Sequence, residues 1–290
     1  MTSTSSAGPT GGSLTGIPPL QLTTWGILRG SSTAWHPRPG ALLGLASWYL
    51  GRSWPAQVTL RRRPSGDAVR LSDRDEARFL LASLYLVAQL GAGGPEDPVT
   101  RLRTIEQSVR SRLFSGYPGN GRPRPAGYPG PKAKDALLYL LVRRIRPSYV
   151  LETGVDQGVS STFVLEALRE NGHGTLVSVD IGGPTEAGRP VGWVVPPELR
   201  DRWDLRLGPA EQVLPTIDRK LDLFLHDSLH TYDHMMFEFA WAEPHLPPGS
   251  LLMSDDIGCN ASYLDFLERS AGRWRSLSNS TIGLAERLVT

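Results

Sequence analysis

The chain has 290 residues, of which 40% are hydrophobic and 21% charged, and its formal net charge is +2. These values are ordinary for globular proteins, and so small a charge argues against a surface that attracts nucleic acid or a membrane. The single cysteine, Cys259, excludes an internal disulfide and agrees with a reducing cytoplasm. No apolar run reaches the roughly 18 to 20 residues that span a bilayer, and the N-terminus lacks the features of a signal peptide. We therefore expect a cytoplasmic protein with neither nucleic acid nor membrane as a partner.

The first 130 residues are irregular and rich in Pro, Gly and Trp. Residues 1–20 are predicted to be a disordered tail, and residues 21–130 a smaller, mainly helical auxiliary or lid region. Within it we predict a hairpin that turns at "PSGD" and two helices, over 73–90 and 97–114. The Gly/Pro segment 115–132 is typical of a linker or an active-site lid, in which Tyr128 or Lys132 could face a substrate.

Strands and helices alternate from residue 131 to residue 290. Helices are predicted over 134–145, 160–171, 210–217, 232–246 and 262–271. Strands are predicted over 148–154, 175–181, 204–208, 221–227, 250–257, 273–278 and 281–288. Such alternation indicates an α/β fold of the Rossmann-like kind, a mostly parallel sheet with helices on both faces. The last two strands form a tight hairpin, which predicts one antiparallel strand at the edge.

Acidic residues or glycines follow each of the first five strands. Ligands of open α/β sheets bind outside the carboxyl ends of the strands, so these positions are the candidate site. They are Glu152, Thr153 and Gly154, then Asp180, Gly208, Asp227, and finally Asp255 with Asp256.

The segment "LETGVDQGVSS" joins the first strand to the next helix through a glycine-rich turn. Gly154 and Gly158 would let a ligand approach the backbone, and Ser160 and Ser161 stand where a helix N-terminus binds a carboxylate or phosphate. The spacing matches neither a dinucleotide fingerprint nor a P-loop. Asp180 lies where an acid would hold a ribose diol. The alternative is a turn that only packs strand against helix, with Asp180 at the surface.

At this point the sequence resembles a family. "VLETGVDQGVSSTFVLEAL" and "GTLVSVDI" look like the first motif and second strand of class I S-adenosylmethionine-dependent methyltransferases. Asp227, His230 and Tyr232, followed by "PGS" and Asp255-Asp256, resemble a branch that includes small-molecule O-methyltransferases and cephalosporin-hydroxylase-like proteins. Ser250 departs from the second glycine of that branch's P-G-G motif. The resemblance covers about residues 131–290, the predicted methyltransferase domain.

The resemblance implies a seven-stranded sheet whose last strand is antiparallel, and it implies S-adenosylmethionine as the cofactor. Ser160 would meet the methionine carboxylate, Asp180 would hold the ribose, and Ala210 would lie near the adenine. The residues implied to bind the cofactor are Glu152, Gly154, Gly158, Ser160, Asp180, Ala210 and Asp227.

Three histidines, His226, His230 and His234, follow one another at four-residue intervals. On one helix they could bind zinc. "LDLFL" before them reads as a strand, however, so His226 is predicted to belong to that strand and to pack inside, while His234 lies on the following helix at the surface. The three histidines therefore do not share one helix face, and a zinc site is not predicted.

Three carboxylates, Asp227, Asp255 and Asp256, follow the fourth and fifth strands. Neighbouring parallel strands lie about 4.8 Å apart, so these acids can converge. Carboxylates without thiolates favour a hard cation such as Mg²⁺, and resembled O-methyltransferases hold a metal at matching positions. We therefore predict a Mg²⁺ site at Asp227, Asp255 and Asp256. The alternative is that one Asp contacts the cofactor and another caps the next helix.

His230 lies three residues beyond Asp227, at the mouth of the site. A neutral imidazole can remove a hydroxyl proton during methyl transfer, which makes His230 the candidate general base; the resemblance implies the same role. The alternative is that His230 caps its own helix. Trp193 could border the cofactor or acceptor, or serve only a structural role.

The sequence thus predicts a Mg²⁺-assisted O-methyltransferase that acts on a hydroxyl of a sugar or secondary metabolite. We also expect a homo-oligomer. Two other functions stay open: a metal-independent N-methyltransferase, and a non-catalytic protein that binds S-adenosylmethionine.

Overall fold

The computed structural model describes residues 61–62, 68–69, 98–116, 131–185, 187–279 and 281–289. The predicted tail, the predicted helix over 73–90 and the lid residue Tyr128 lie outside the described residues. A short antiparallel ladder pairs Arg61 with Val69 and Arg62 with Ala68, as expected for the predicted hairpin. No helix among the described residues is long and apolar enough to cross a membrane.

A seven-stranded sheet forms the centre of the chain. Its strands, numbered along the sequence, are β1 (Tyr149–Thr153), β2 (Thr175–Asp180), β3 (Trp203–Leu207), β4 (Leu223–His226), β5 (Leu251–Ser254), β6 (Trp274–Ser278) and β7 (Gly283–Arg287). Their order across the sheet is β3-β2-β1-β4-β5-β7-β6. The order reverses between β1 and β4, which is where ligands bind in such sheets. The predicted fold class is confirmed.

The antiparallel strand is not at the edge of the sheet, which corrects one expectation. β7 inserts between β5 and β6 and is antiparallel to both neighbours. The edge strand is β6, which runs in the same direction as β1 to β5. β7 has the burial pattern of an interior strand, with four of its five residues buried, whereas β6 exposes Arg275 and Ser276. The more apolar strand therefore takes the interior position.

Six α-helices accompany the sheet in the described part of the chain. They are α1 (Pro98–Gly116), α2 (Ala133–Ile145), α3 (Val159–Asn171), α4 (Ala210–Val213), α5 (Tyr232–Ala242) and α6 (Ser262–Arg269). α4 and α5 are shorter than predicted, because each passes into a 3₁₀ turn that contains a proline, Leu214–Thr216 and Glu243–His245. A proline lacks the N–H that an α-helix needs at that point.

Alternate residues of each interior strand enter different cores. Leu223 and Leu225 of β4 face the core beneath α1, α2 and α3, whereas Phe224 faces the core beneath α5 and α6. α2 is buried on nearly every side, from Ala136 to Val142, in the core that it shares with α1, α3 and the sheet. The two helix layers and the alternating strand residues hold the carboxyl ends of β1, β4 and β5 in fixed register.

Candidate active site at the carboxyl edge of the sheet

Asp227 and Asp255 are neighbours because of strand register. Thr153 at the end of β1 pairs with His226 of β4, and His226 pairs with Ser254 of β5. The next residue of each strand continues the pattern: the Asp227 N–H donates to the Thr153 carbonyl at 2.9 Å, and the Asp255 N–H donates to the His226 carbonyl at 2.9 Å. The predicted convergence of these two acids therefore occurs.

A lysine occupies the space between the two carboxylates. Nζ of Lys134, in the first turn of α2, donates to Oδ2 of Asp227 and, at 2.5 Å, to Oδ2 of Asp255. The side chains of Lys134 and Asp255 are 7% and 6% exposed, so the pair is shielded from solvent. Nζ of the more exposed Lys132 lies 3.8 Å from the same Asp255 oxygen.

The lysine in this cluster stays charged. Burial alone would lower the pKa of Lys134, but the carboxylates of Asp227 and Asp255 outweigh burial and raise that pKa well above its usual value. Burial likewise works against ionisation of Asp255, yet the two lysines hold the pKa of Asp255 at about 2. The cluster thus contains a fixed ammonium group bonded to a fixed carboxylate.

The predicted Mg²⁺ site does not fit this arrangement. The ammonium group of Lys134 fills the position that a cation shared by Asp227 and Asp255 would take. Asp256 has a left-handed backbone, with φ of +50°, and the chain turns there into the 3₁₀ segment Ile257–Cys259 instead of continuing the strand. Among the described residues no three His, Cys, Asp or Glu side chains are grouped so as to hold a metal ion.

His230 lies beside Asp227, as predicted for a base at the mouth of the site. Its Nε2 is 3.9 Å from Oδ1 of Asp227, too far for a hydrogen bond, and this buried atom has no hydrogen-bond partner among the described residues. Burial, together with the neighbouring His226, lowers the pKa of His230. Helix α5 is capped at Thr231 and begins at Tyr232, so His230 precedes the cap. The imidazole is therefore neutral near pH 7 and able to accept a proton.

A buried glutamate of α5 organises the floor of the site. Glu238 accepts hydrogen bonds from His226 Nδ1 at 2.6 Å, Thr153 Oγ1 at 2.6 Å, Ser228 Oγ at 2.8 Å and His234 Nε2 at 2.9 Å. Burial opposes its charge, but these donors, the two histidines first, lower the pKa of Glu238 to about 2. No role of Glu238 is predicted from the sequence, in which it is one polar residue of a helix with a core-packing pattern.

The three histidines have separate environments. His226 ends β4 and is fully buried, as predicted, and its ring meets that of His230 edge-on at 5.2 Å between centroids. His234 is not a surface residue: its two ring nitrogens face Glu238 and Glu211, which corrects the expectation for that residue. His226 and His234 therefore position groups beneath the site, and His230 alone of the three has its Nε2 beside Asp227.

Two glycines shape the turn after β1. Gly154 has φ of +81°, and a β-carbon there would lie 2.2 Å from the carbonyl oxygen of Asp227. Gly158, with φ of +90°, caps α3, and a β-carbon there would lie 2.9 Å from the Cα of Gly192. Both positions require glycine because backbone passes against backbone. The turn thus stands next to Asp227, at the amino end of α3.

Glu152 and Ser160 are hydrogen-bonded to each other. The fully buried carboxylate of Glu152 accepts from the hydroxyls of Ser160 at 2.5 Å, Ser161 at 2.6 Å and Ser178 at 2.7 Å. Burial raises its pKa in spite of these three bonds. A direct contact of the Ser160 hydroxyl with a cofactor carboxylate would require exchange of its bond to Glu152. The backbone N–H groups at the start of α3 are the remaining donors at that position.

Asp180 and Ala210 complete the set of predicted cofactor residues. Asp180 Oδ2 accepts from the N–H groups of Val155 at 2.8 Å and Asp156 at 3.0 Å, so this acid ties the turn after β1 to the end of β2. Its Oδ1 accepts from the Gly182 N–H at 2.8 Å. Ala210 begins α4, directly beyond the end of β3. Trp193 is partly buried against the core beneath α3, which supports a structural role for it.

Sequence reasoning missed Lys134. It is one of only three lysines in a chain with 31 basic residues, and it stands two residues after Lys132. The rarity of lysine was the one signal in the sequence that could have pointed to Lys134. Its contact with Asp227 and Asp255 could not be predicted because these residues are far apart along the chain.

Comparison with known proteins finds a family match over part of the chain. Residues 151–257 match the family model for a methyltransferase domain. A search of curated proteins found no match. Among solved structures, an O-methyltransferase from Bacillus cereus in complex with SAH is 18% identical, with 73% of this chain and 99% of that chain covered and a TM-score of 0.46. The O-methyltransferase TomG from Streptomyces achromogenes, involved in tomaymycin synthesis and solved with SAM, is 17% identical, with 76% and 100% covered and a TM-score of 0.46.

Proposed function

We propose that this S-adenosylmethionine-dependent methyltransferase transfers its methyl group to a hydroxyl of a small molecule, a sugar or a secondary metabolite. The observation that carries the proposal is His230, whose Nε2 is buried beside Asp227 without a partner among the described residues. A hydroxyl acceptor must lose a proton as it is methylated, and a neutral imidazole in a cleft is suited to take it.

S-adenosylmethionine supplies an electrophilic methyl group on a sulfonium ion. The chain supplies the place for it: the turn from Gly154 to Gly158 together with the amino end of α3, whose free N–H groups favour a carboxylate. The Asp180 carboxylate stands at the end of β2, and its Oδ2 accepts from the N–H groups of Val155 and Asp156 in the same turn. In this proposal Asp180 accepts from the ribose hydroxyls while it keeps the turn in place.

His230 is the general base in the proposed reaction. Its Nε2 takes the proton of the acceptor hydroxyl while the oxygen attacks the methyl carbon. Burial keeps the ring neutral before the reaction, and the carboxylates of Asp256 and Asp255 are the nearby negative charges that favour the imidazolium after it. No step passes through a magnesium ion, because the ammonium group of Lys134 stands between Asp227 and Asp255.

A hydroxyl suits the cluster better than an amine. Most aliphatic amines are cations near pH 7 and need carboxylates with unbalanced negative charge nearby. Here Lys134 already pairs with Asp227 and Asp255, and Lys132 adds a second positive charge at 3.8 Å from Asp255. Like charges disfavour a cationic acceptor. The N-methyltransferase is thus the weaker of the two enzymatic proposals.

A transfer assay tests the proposal. S-adenosylmethionine with a labelled methyl group is incubated with the full chain and a panel of glucose, rhamnose, catechol, phenol, histamine and tryptamine. We expect label on oxygen, and a fall in kcat of about 10²- to 10⁴-fold for His230→Ala, the range typical of a lost general base. His173→Ala is the matched control, because His173 lies in the turn between α3 and β2, bonded to the carbonyls of Asn171 and Arg146.

Three results would count against the proposal. Label found only on nitrogen would replace it with the N-methyltransferase. Binding of S-adenosylmethionine by calorimetry without transfer to any acceptor would favour a non-catalytic protein. Retention of near wild-type turnover by His230→Ala would remove His230 as the base.

A further inference from the structure

A buried lysine, Lys134, lies at the point where the carboxyl ends of β4 and β5 meet. Asp227 and Asp255 extend from adjacent parallel strands, and their Oδ2 atoms both accept from Nζ of Lys134. Two carboxylates that share one position are the arrangement expected for a cation. In this chain the cation between them is part of the protein.

The folding of α2 places this lysine. α2 is buried between α1 and the sheet, and its first turn reaches the carboxyl ends of β4 and β5. The backbone N–H of Lys132 donates to the Asp135 carboxylate at 2.6 Å, which fixes the start of the helix on either side of Lys134. The lysine is therefore held by a rigid element.

The negative charge at this position is already matched without a metal ion. Asp255 supplies a negative charge, burial raises the pKa of Asp227 to about 8, and the ammonium groups of Lys134 and Lys132 lie within 3.8 Å of Asp255. A divalent ion added to this set would stand against the ammonium group of Lys134 at contact distance. Repulsion at that distance disfavours the ion, because a partly buried site screens charges only weakly.

We propose that the ammonium group of Lys134 takes the place of a divalent cation in this enzyme and receives the acceptor oxygen. Two of its three N–H groups are bonded to Asp227 and Asp255 within the described residues, and the third is the donor for the acceptor. The catalytic half of this inference rests on the proposed O-methyl transfer; the structural half, that Lys134 excludes a divalent ion, does not.

In the proposed methyl transfer the acceptor O–H bond breaks, and its proton goes to Nε2 of His230. The oxygen forms a bond to the methyl carbon while the carbon–sulfur bond breaks and leaves its electron pair on sulfur. The products are the methyl ether, S-adenosylhomocysteine and protonated His230, which releases its proton to solvent. Lys134 keeps its three protons throughout and stabilises the negative charge that develops on the oxygen.

The use of a single ammonium group limits how many hydroxyl groups of the acceptor can be bound at once. A metal ion can hold two adjacent hydroxyls at once, whereas one free N–H holds one oxygen. The enzyme should therefore accept a single hydroxyl and gain little from a second one beside it.

The first experiment measures metal binding without any acceptor. MnCl₂ is titrated into the full chain with S-adenosylmethionine present, and free Mn²⁺ is followed by electron paramagnetic resonance. We expect no stoichiometric binding below 1 mM (about −4 kcal/mol) for wild type, and at least a tenfold gain in affinity for Lys134→Ala, in which two carboxylates are left without their cation. Lys220→Ala is the control, since Lys220 precedes β4, at the opposite end of that strand from Asp227, and donates to the Pro244 carbonyl. One bound Mn²⁺ per wild-type chain, or no gain in Lys134→Ala that retains the wild-type circular dichroism, would overturn the inference.

The second experiment tests contact with the reacting oxygen, using the acceptor of the panel that gives the highest turnover. We expect EDTA to leave wild-type turnover unchanged. Lys134→Ala should lose at least 100-fold in kcat with S-adenosylmethionine affinity within threefold, and added methylammonium should restore part of it. A purely structural lysine would show no rescue by a soluble amine, and that result, or loss of wild-type activity in EDTA with recovery in Mg²⁺, would overturn the catalytic half. If wild type methylates nothing while Lys134→Ala gains Mn²⁺, the proposed function fails and the cation assignment stands.

Discussion

Gly154 and Asp227 approach each other so closely that a β-carbon on Gly154 would lie 2.2 Å from the Asp227 carbonyl oxygen and 2.5 Å from its carbonyl carbon. This contact joins the turn after β1 to the residue that pairs with Lys134. The glycine therefore serves two purposes, because it permits the left-handed turn at φ of +81° and it leaves room for the backbone of Asp227.

Gly154→Ala is expected to destabilise the domain by about 2 kcal/mol or more and to displace Asp227, because the added methyl group meets backbone that cannot move aside. Urea unfolding measures the first effect and methyl transfer the second. Gly172→Ala is the matched control: φ there is +78°, but nothing lies within 4 Å of the added carbon. Only the left-handed strain, about 1 kcal/mol, applies to the control. Equal losses for the two variants would show that the contact with Asp227 is unimportant.

Asp255→Asn is expected to cost about 2–4 kcal/mol of unfolding free energy, because it leaves the buried Lys134 with a single carboxylate. The comparison variant is Asp204→Asn, which breaks an ion pair with Arg206 whose side chains are 45% and 36% exposed. Exposed pairs contribute about 0–1 kcal/mol. Denaturant titration of both variants at pH 7 checks the difference, and a cost below 1 kcal/mol for Asp255→Asn would contradict the account of the buried cluster.

The pH dependence of kcat/KM should reflect His230. Burial and the neighbouring His226 lower its pKa below the usual 6.5, and only the unprotonated ring can accept the acceptor's proton. The rate should therefore rise with pH along a limb whose midpoint lies below 6.5. Rates measured from pH 5 to 8 with the best acceptor would show the limb in wild type and its absence in His230→Ala. A midpoint at or above pH 7 is incompatible with this assignment.

Glu238 should make stability depend on pH in the acid range. Its folded pKa of about 2 lies below the ordinary value of 4.5, so its contribution is fully present above pH 4.5 and is lost as pH falls toward 2. A shift of this size corresponds to about 3 kcal/mol at neutral pH. We expect Glu238→Gln to be less stable than wild type at pH 7 and the gap to narrow below pH 4.5, as measured by urea unfolding at each pH. A gap that is constant from pH 7 to pH 3 would show that the carboxylate charge contributes nothing.

The element order and the site's location followed from local patterns. The apolar residues of β4 and β5 predict these two strands. The acids at the strand ends could be predicted as well, because a strand ends where polar residues begin. The positions of Gly154 and Asp180 followed in the same way. The roles predicted for Ala210 and Ser160 toward a cofactor stay predictions.

Other features depend on parts of the chain that are distant in sequence. β7 lies between β5 and β6, and four of its five residues are buried there, a placement that the sequence of a single strand does not reveal. The environment of His234 depends on Glu238 one turn away and on Glu211 from another helix. The turn at Asp256 separates it from the two acids that do meet.

The sequence by itself determined a mostly parallel α/β sheet with Asp227, His230 and Asp255 at one edge, since hydrophobic periodicity and the residues that end a strand are local properties. Only the tertiary structure decided what stands between the acids. Lys134 reaches them because α2 packs under α1 and over the sheet, and the energy of that packing is spread over side chains that lie far apart along the chain. A pattern of acids therefore predicts a cation, and the packing of α2 determines which cation it is.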